Sequence, residues 1–211
     1  MKIVIPARRN SKGLPFKNRK LFDYTLDTIP EEYLKDVIVS TDDEVIIEQA
    51  ANKNLNCVTR KEELCLDDVS IRDVMNDIVE KYSLQEDETV IMLYLTYPER
   101  TWKNIEDSHR YFIKNNANSL LCKKDLQISP FLCMIEDGIK GKQITSHDLY
   151  RRQDYPKCFE ASWIVCMFKV GELNNLNKNM YNSDTIFFKV GDVVDVDTLN
   201  DLNNFYKKNK N

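Results

Sequence analysis

The chain has no apolar run near the length of a membrane span, which argues against a transmembrane protein. Its first apolar run, Ile3 to Ile5, is ended by Pro6, far short of a signal peptide, so a cytoplasmic location is expected. It has only two histidines, His109 in a helical pattern and His147 in the irregular stretch after Lys123. Both are read as non-catalytic. The six cysteines (Cys57, Cys65, Cys122, Cys133, Cys158 and Cys166) form no CxxC and no metal-like spacing. In a reducing compartment most of them read as buried small hydrophobes. Neither GxxxxGK[ST] nor GxGxxG occurs, so Walker A and dinucleotide loops are excluded. The five glycines, beside many Lys and Asn, reflect compositional bias more than function. There is no internal repeat, and a formal charge of −4 argues against nucleic acid as a partner. What remains is an ordinary soluble composition, 42% apolar and 30% charged, over 211 residues. That length predicts one domain, 1–211, with a full core and room for a small appendage.

One local absence is informative. Residues 1–22 contain no acid but seven cations, so the rest of the chain carries −11. A patch this basic on an acidic chain points to a polyanionic ligand such as a nucleoside triphosphate. Ile3, Val4 and Ile5 read as a buried strand. The loop behind it supplies small residues (Ala7, Asn10, Ser11, Gly13) between Arg8, Arg9, Lys12 and Lys17. Backbone N–H groups there can face an anion while the cations add charge.

The rest of the chain alternates strand and helix patterns. Val37–Val39 reads as a strand, 43–53 as a helix capped by Asp42 or Asp43, and 56–59 as a strand. A helix capped by Asp67 or Asp68 follows to about Tyr82. Residues 90–95 read as a strand, 102–115 as a helix and 119–122 as a strand. From Lys123 to Glu160 the rhythm breaks around the DGIKGK turn, as in a hairpin excursion. It resumes with strands over 163–170 and 185–190 and a closing helix over 198–208. This βαβαβ order predicts an α/β fold with a doubly wound, mostly parallel sheet.

The string IPARRNSKGLPFKN resembles the first loop of the CMP-sugar synthetases, best of all the acylneuraminate cytidylyltransferases, which reads roughly ARxxSKGLPxKN. VSTDDEVIIEQAANKN, LTYPERT, RRQDYP and VVDVDTLNDL resemble further family strings, so the resemblance covers nearly the whole chain. It implies a nucleotide-diphospho-sugar transferase-like fold and a nucleotide site of Arg8, Ser11, Lys12, Gly13, Lys17, Asn18, Arg60 and Ser70. It also implies a homodimer whose excursion, residues 124–156, packs on the partner.

Asp195-Val196-Asp197 sits in a strand-like stretch, where residues i and i+2 point the same way. Two carboxylates on one side suit Mg²⁺; the alternative is that one caps the helix at Thr198. In the family this motif holds the magnesium on the triphosphate, which implies Asp195 and Asp197 as metal ligands. Lys17 and Arg8 would neutralise the phosphates during transfer, making Lys17, Arg8 and Asp195 the expected catalytic set. Arg9, Arg19 and Lys20 read as loose surface cations. Asn18 can read a base or ribose edge, or serve the turn. Arg60 is otherwise a surface ion pair and Ser70 a first-turn helix residue. Arg100 is read as bracing its loop. Arg152 and Gln153 are the residues the resemblance implies for an acid sugar, since an arginine can bind its carboxylate bidentately.

The sequence leaves the family pattern on the sugar side. Tyr94 and Tyr97 stand where glutamine and serine are usual, Ser162-Trp163 replaces a small pair, and Arg72 and Asp73 replace small residues. Tyr94, Tyr97 and Trp163 are therefore expected to reshape the acceptor pocket. The reading is a Mg²⁺-dependent cytidylyltransferase that joins CTP to the anomeric hydroxyl of a 2-keto-3-deoxy sugar acid. Its competitors are a glycosyltransferase of similar architecture and a degenerate homologue that binds nucleotide without turnover. The near-terminal position of the DxD and the SKGLPxKN loop disfavour the first.

Overall fold

The computed structural model describes residues 1–11 and 13–209. Lys12 lies outside the described residues. Inside the sheet, with strands on both sides, is β1 (Lys2–Pro6), whose side chains alternate between two apolar layers. Ile3 and Ile5 join one and Val4 the other, all with no exposed surface. Both faces of the strand are covered, so its sequence is a continuous apolar run rather than an alternation.

β1 pairs in parallel with β2 (Val37–Thr41) on one side and with β4 (Thr89–Met92) on the other. Outside β2 lies β3 (Asn56–Thr59), also parallel. Beyond β4 come β8 (Phe159–Lys169), β5 (Ser119–Asp125) and β9 (Ile186–Lys189), giving the order β3-β2-β1-β4-β8-β5-β9. β8 runs antiparallel to both neighbours, whereas β9 is parallel to β5. The sheet is therefore mostly parallel with one reversed strand, which the αβ rhythm did not foretell because the excursion returns the chain from the opposite end.

Helices α1 (Lys17–Leu26), α3 (Glu44–Asn52), α5 (Trp102–Lys114) and α6 (Leu199–Lys208) bury Leu21, Phe22, Ile46, Phe112 and Phe205 in the Ile3 layer. A single turn, α2 (Glu31–Leu34), leads into β2. Helix α4 (Ile71–Lys81) places Val74, Met75 and Ile78 on the other face, so the sheet is wound on both sides. Each such side chain contributes about 1.5–3 kcal/mol by leaving water.

Two local expectations need correction. Helix α4 is capped by Ser70, whose hydroxyl accepts the Asp73 N–H, and not by Asp67 or Asp68. Of the two candidates at α3, Asp43 is the cap. The excursion holds β6 (Met134–Asp137) and β7 (Lys140–Gln143), an antiparallel pair turned at Gly138 with φ 61, a conformation that glycine adopts without strain. Among the described residues no helix is long and apolar enough to cross a membrane.

Candidate functional site

Strand order reverses between β1 and β4, and in open α/β sheets ligands bind beyond the carboxyl ends of strands at such a point. Here the loops after β1 and β4 meet a cleft of about 320 Å³, lined by Arg8, Asn10, Ser11, Lys17, Asn18 and Arg60 on the cationic side. Tyr94, Leu95 and Thr96 supply the other wall. A second cavity of about 340 Å³ is lined by Tyr97, Trp163, Lys178, Asn179, Asp195 and Asp197. The two share Ile71, Tyr94 and Thr96, so they are halves of one crevice.

The halves meet at an ion pair. Lys17 Nζ, on the buried first residue of α1, lies 2.6 Å from Asp197 Oδ1. Lys17 lines the first cavity and Asp197 the second. The other cations are held more firmly than their positions in the sequence suggest. Arg8 Nη1 donates to the carbonyls of Cys65 (3.2 Å) and Leu66 (3.1 Å) and pairs with Asp67 (2.9 Å). Asn18 spends its amide on the Arg8 carbonyl (2.7 Å), so it locks the loop while lining the cleft. Arg60 is buried, not a surface ion pair, and its guanidinium donates to the Ser40 carbonyl (3.0 Å) and hydroxyl (3.4 Å). Burial lowers its pKa.

Arg19 is not a loose cation. Its Nε pairs with the fully buried Asp43 carboxylate at 2.7 Å, and its guanidinium lies 4.2 Å from the centre of the Phe16 ring. Hydrogen bonding to Asp43 raises its pKa. Phe16 itself starts α1 with φ 54, a strained value for a bulky residue, and Arg19 covers it. The Arg9 N–H donates to Asp42 Oδ1 (2.7 Å), tying the basic loop to the end of β2. Ser70 is engaged with Asp73 as the α4 cap and is not among the residues lining the cleft, although its neighbours Val69 and Ile71 are.

The carboxylate pair is not on a strand. Residues 191–197 form no regular element, yet the two side chains still reach one cavity. Fully buried Val196 is the reason: its N–H donates to the Thr96 carbonyl (2.8 Å) and pins the segment beside the β4 loop. Burial raises the Asp195 pKa; the Tyr97 hydroxyl opposes this and the Asp197 charge adds to it. Asp195 Oδ1 is buried and accepts no hydrogen bond. A buried carboxylate oxygen without a donor, next to an exposed second carboxylate, fits a hard cation. Among the described residues no cluster of three or more His, Cys, Asp or Glu could hold a metal, so the remaining ligands would come from water and substrate.

The residues expected on the sugar side come together only in part. Tyr94, Tyr97 and Trp163 line the second cavity. Burial raises the pKa of both tyrosines, which stay neutral phenols. Trp163 is aimed there by a break in pairing: Leu121 faces Cys166 but Cys122 faces Ser162, leaving residues 163–165 out of the β5 ladder. Buried Arg100 answers that break, donating to the Ile164 carbonyl (2.9 Å) and the Tyr94 carbonyl (3.0 Å). It braces its loop as expected. Arg152 lies elsewhere, on a separate cavity of about 570 Å³ in the excursion, and Gln153 is exposed beside it. The sequence reading missed Lys178 and Asn179, which carry no motif, and gave no site role to Thr96, which lies within LTYPERT. His147 is structural: its Nε2 meets the Phe131 carbonyl (2.8 Å) and its Nδ1 accepts the Leu149 N–H (3.1 Å).

A cationic loop facing paired carboxylates at the switch point of a mostly parallel sheet is the arrangement of a nucleotidyltransferase-like α/β protein. Solved structures share that fold. They include a CMP:2-keto-3-deoxy-manno-octonic acid synthetase complexed with CTP (TM-score 0.67, 14% identity, 98% of this chain and 97% of that one). A cytidylyltransferase from Leptospira borgpetersenii aligns with TM-score 0.60 at 13% identity, over 95% of this chain and 82% of the other. A family model described as cytidylyltransferase matches residues 2–123, and the chain belongs to the cytidylyltransferase family. Among curated relatives, N-acylneuraminate cytidylyltransferases of Streptococcus agalactiae are 26% identical over 94% of this chain and 51% of their own length. The chain thus spans about half the length of the curated relatives it matches.

Proposed function

We propose that the protein transfers CMP from CTP to the anomeric hydroxyl of a 2-keto-3-deoxy sugar acid and releases pyrophosphate. The observation that carries this is the Lys17–Asp197 pair at the junction of the two cavities. CTP occupies the cationic half and the sugar acid the aromatic half, which puts the α-phosphate beside Lys17. The hydroxyl attacks the α-phosphorus, and the bond to the β-phosphate breaks. Lys17 neutralises charge on the α-phosphate, and Arg8, fixed by Cys65, Leu66 and Asp67, holds the outer phosphates. Arg60 and Asn18 shape the nucleoside end.

Asp195 and Asp197 would hold Mg²⁺, which supplies charge neutralisation and a lower hydroxyl pKa. Lys17 and Asp197 neutralise each other in the ligand-free protein, so both are kept in place until phosphate and cation separate them. The name of the curated relatives, N-acylneuraminate cytidylyltransferase, supports a sialic-acid-like acceptor. Tyr94, Tyr97 and Trp163 make a pocket of this chain's own, so a related nonulosonate or an eight-carbon acid is equally within the reading. A cytoplasmic homodimer goes with it. The exposed Met134, Ile135 and Ile139 of the excursion support self-association through residues 124–156.

The test is pyrophosphate release with CTP, Mg²⁺ and a panel of N-acetylneuraminate, legionaminate- and pseudaminate-type sugars and eight-carbon 2-keto-3-deoxy acids. Release with one sugar and CTP, and none with ATP or UTP, is the expected result. CTP binding with silence across the panel would replace the reading with a nucleotide-binding homologue that lacks turnover.

A further inference from the structure

The buried carboxylate of Asp77, on α4, has no part in the reaction proposed above. It is 7% exposed and pairs with two lysines: Lys81 Nζ, one turn on, at 2.9 Å, and Lys61 Nζ at 3.2 Å. Burial pushes its pKa up, but the hydrogen bonds from Lys81 and Lys61 outweigh that and the net shift is downward, so the carboxylate is charged. Hydrogen bonding to Asp77 raises the Lys61 pKa in return. A buried ion pair adds little to stability over an apolar side chain of its size, so what it holds in place is the feature to explain.

Both lysines lead to the segment after β3. Lys81 Nζ also donates to the Thr59 carbonyl (3.3 Å), at the end of that strand. Lys61 opens a single 3₁₀ turn, Glu62–Leu64. Its carbonyl accepts the Leu64 N–H (2.9 Å) and the Cys65 thiol (3.2 Å). The next carbonyls along, of Cys65 and Leu66, are those that hold Arg8. Asp77 thus grips the segment on either side of Arg60, and the far end of the same segment carries the anchors of Arg8. Arg60, Leu64 and Leu66 line the nucleotide half of the crevice, and so does Val74, three residues before Asp77 on α4. Neither Asp77 nor Lys61 is among the described residues lining either half. We propose that Asp77 is a positioning residue for nucleotide binding: through Lys61 and Lys81 it ties the 59–66 segment, and with it Arg60 and the anchors of Arg8, to helix α4. The inference rests on CTP occupying that half of the crevice, as proposed above.

The experiment is CTP affinity by titration calorimetry, with Mg²⁺ and no acceptor, for the whole chain and for Asp77→Asn, Lys61→Met and the double variant. A wild type that does not bind CTP would overturn the functional reading and this inference with it. Asp77→Asn removes a negative charge near a polyanion site, so through-space electrostatics alone would tighten CTP binding. Positioning predicts the opposite sign: Kd for CTP is expected to rise about 3- to 20-fold. Lys61→Met should give a rise of similar size that persists at high salt, where a through-space effect is screened. The double variant should be little worse than either single one, because both break the same contact. The Lys61 side chain is 52% exposed, so its loss costs the fold little, and it keeps the test decisive where Asp77→Asn fails to fold. With a sugar acid that the wild type accepts, KM for that acid should stay within about twofold, since none of residues 59–66 lines the second cavity. Unchanged CTP affinity in the folded single variants, or tighter binding in Asp77→Asn, would overturn the positioning role and leave the transfer reaction standing. An equal rise in KM for both substrates would make Asp77 a general support of the fold and overturn it as well.

Discussion

Gly13 lies directly against Asp197: a methyl group at Gly13 would stand 2.6 Å from the Asp197 carbonyl oxygen. The basic loop and the carboxylate segment, from opposite ends of the chain, therefore touch backbone to backbone. Glycine is needed here for close approach, not for a positive φ.

Gly13→Ala should consequently push the 195–197 segment away from Lys17. We expect kcat to fall on the order of 10²-fold, since displacement of a positioned group by an ångström costs that much. Thermal melting should move little, because Gly13 is exposed. Steady-state kinetics beside a melting curve checks both halves.

Asp197→Ala removes the partner of Lys17 and one of the two carboxylates. The expected loss in kcat is on the order of 10²-fold or more. The Asp197 side chain is 67% exposed, so folding should be intact by circular dichroism. Full activity in this variant would remove Asp197 from both roles.

Tyr97→Phe tests the Asp195 environment through pH. Burial raises the Asp195 pKa, and the Tyr97 hydroxyl holds it back. Removing that hydroxyl should raise it further. Asp195 is needed ionised, so the acid limb of the kcat/KM profile should move to higher pH. The same shift gives a stability prediction for the metal-free protein. A folded-state pKa above the unfolded one makes ionised Asp195 destabilising, with the full cost above the folded pKa and relief as pH falls through it. Asp195→Asn should therefore raise the melting temperature at neutral pH, and the gain should disappear in acid.

Arg100 is fully buried, its guanidinium lowered to about 10 by burial, yet it serves the Tyr94 and Ile164 carbonyls and the Thr25 hydroxyl. Arg100→Leu relieves a buried charge but orphans those acceptors at about 1–3 kcal/mol each. We expect a net loss of about 2 kcal/mol or more in urea unfolding. CTP affinity should weaken as well, because the Tyr94 loop loses its brace.

Ile135→Lys with Ile139→Lys tests the excursion. Both side chains are exposed, 54% and 103%, so the monomer should fold as before. Light scattering should report a dimer for the wild type and a monomer for the double variant. A monomeric wild type would end the homodimer proposal.

Some of this was legible along the chain because it is local. The run Ile3–Ile5 marks an inner strand of the sheet, since both faces must be apolar. Asp43, one of the two cap candidates at α3, caps its helix through a hydrogen bond spanning two residues, whereas Ser70 and Thr198 took caps that the sequence reading gave to neighbouring aspartates. The acid-free first 22 residues located the cationic half of the site by charge alone. A two-residue spacing put Asp195 and Asp197 in one place, although an extended loop and not a strand holds them there.

The long-range features were decided only by the folded chain. Arg19 became structural because folding buries Asp43 within its reach. β8 is antiparallel because the excursion returns the chain from the far end of the sheet, a matter of path and not of residue preference. Trp163 lines the second cavity because pairing breaks opposite Leu121 and Cys122, and no local propensity specifies that register. The loop that brings Lys178 to the second cavity is held at the Leu176 and Asn179 carbonyls by Arg72 and Trp163, far away in sequence. Short-range hydrogen bonds, apolar runs and net charge are properties of a segment and survive in one dimension. Register, strand direction and the meeting of distant loops are properties of packing, and they exist only once the two apolar layers have closed on the sheet.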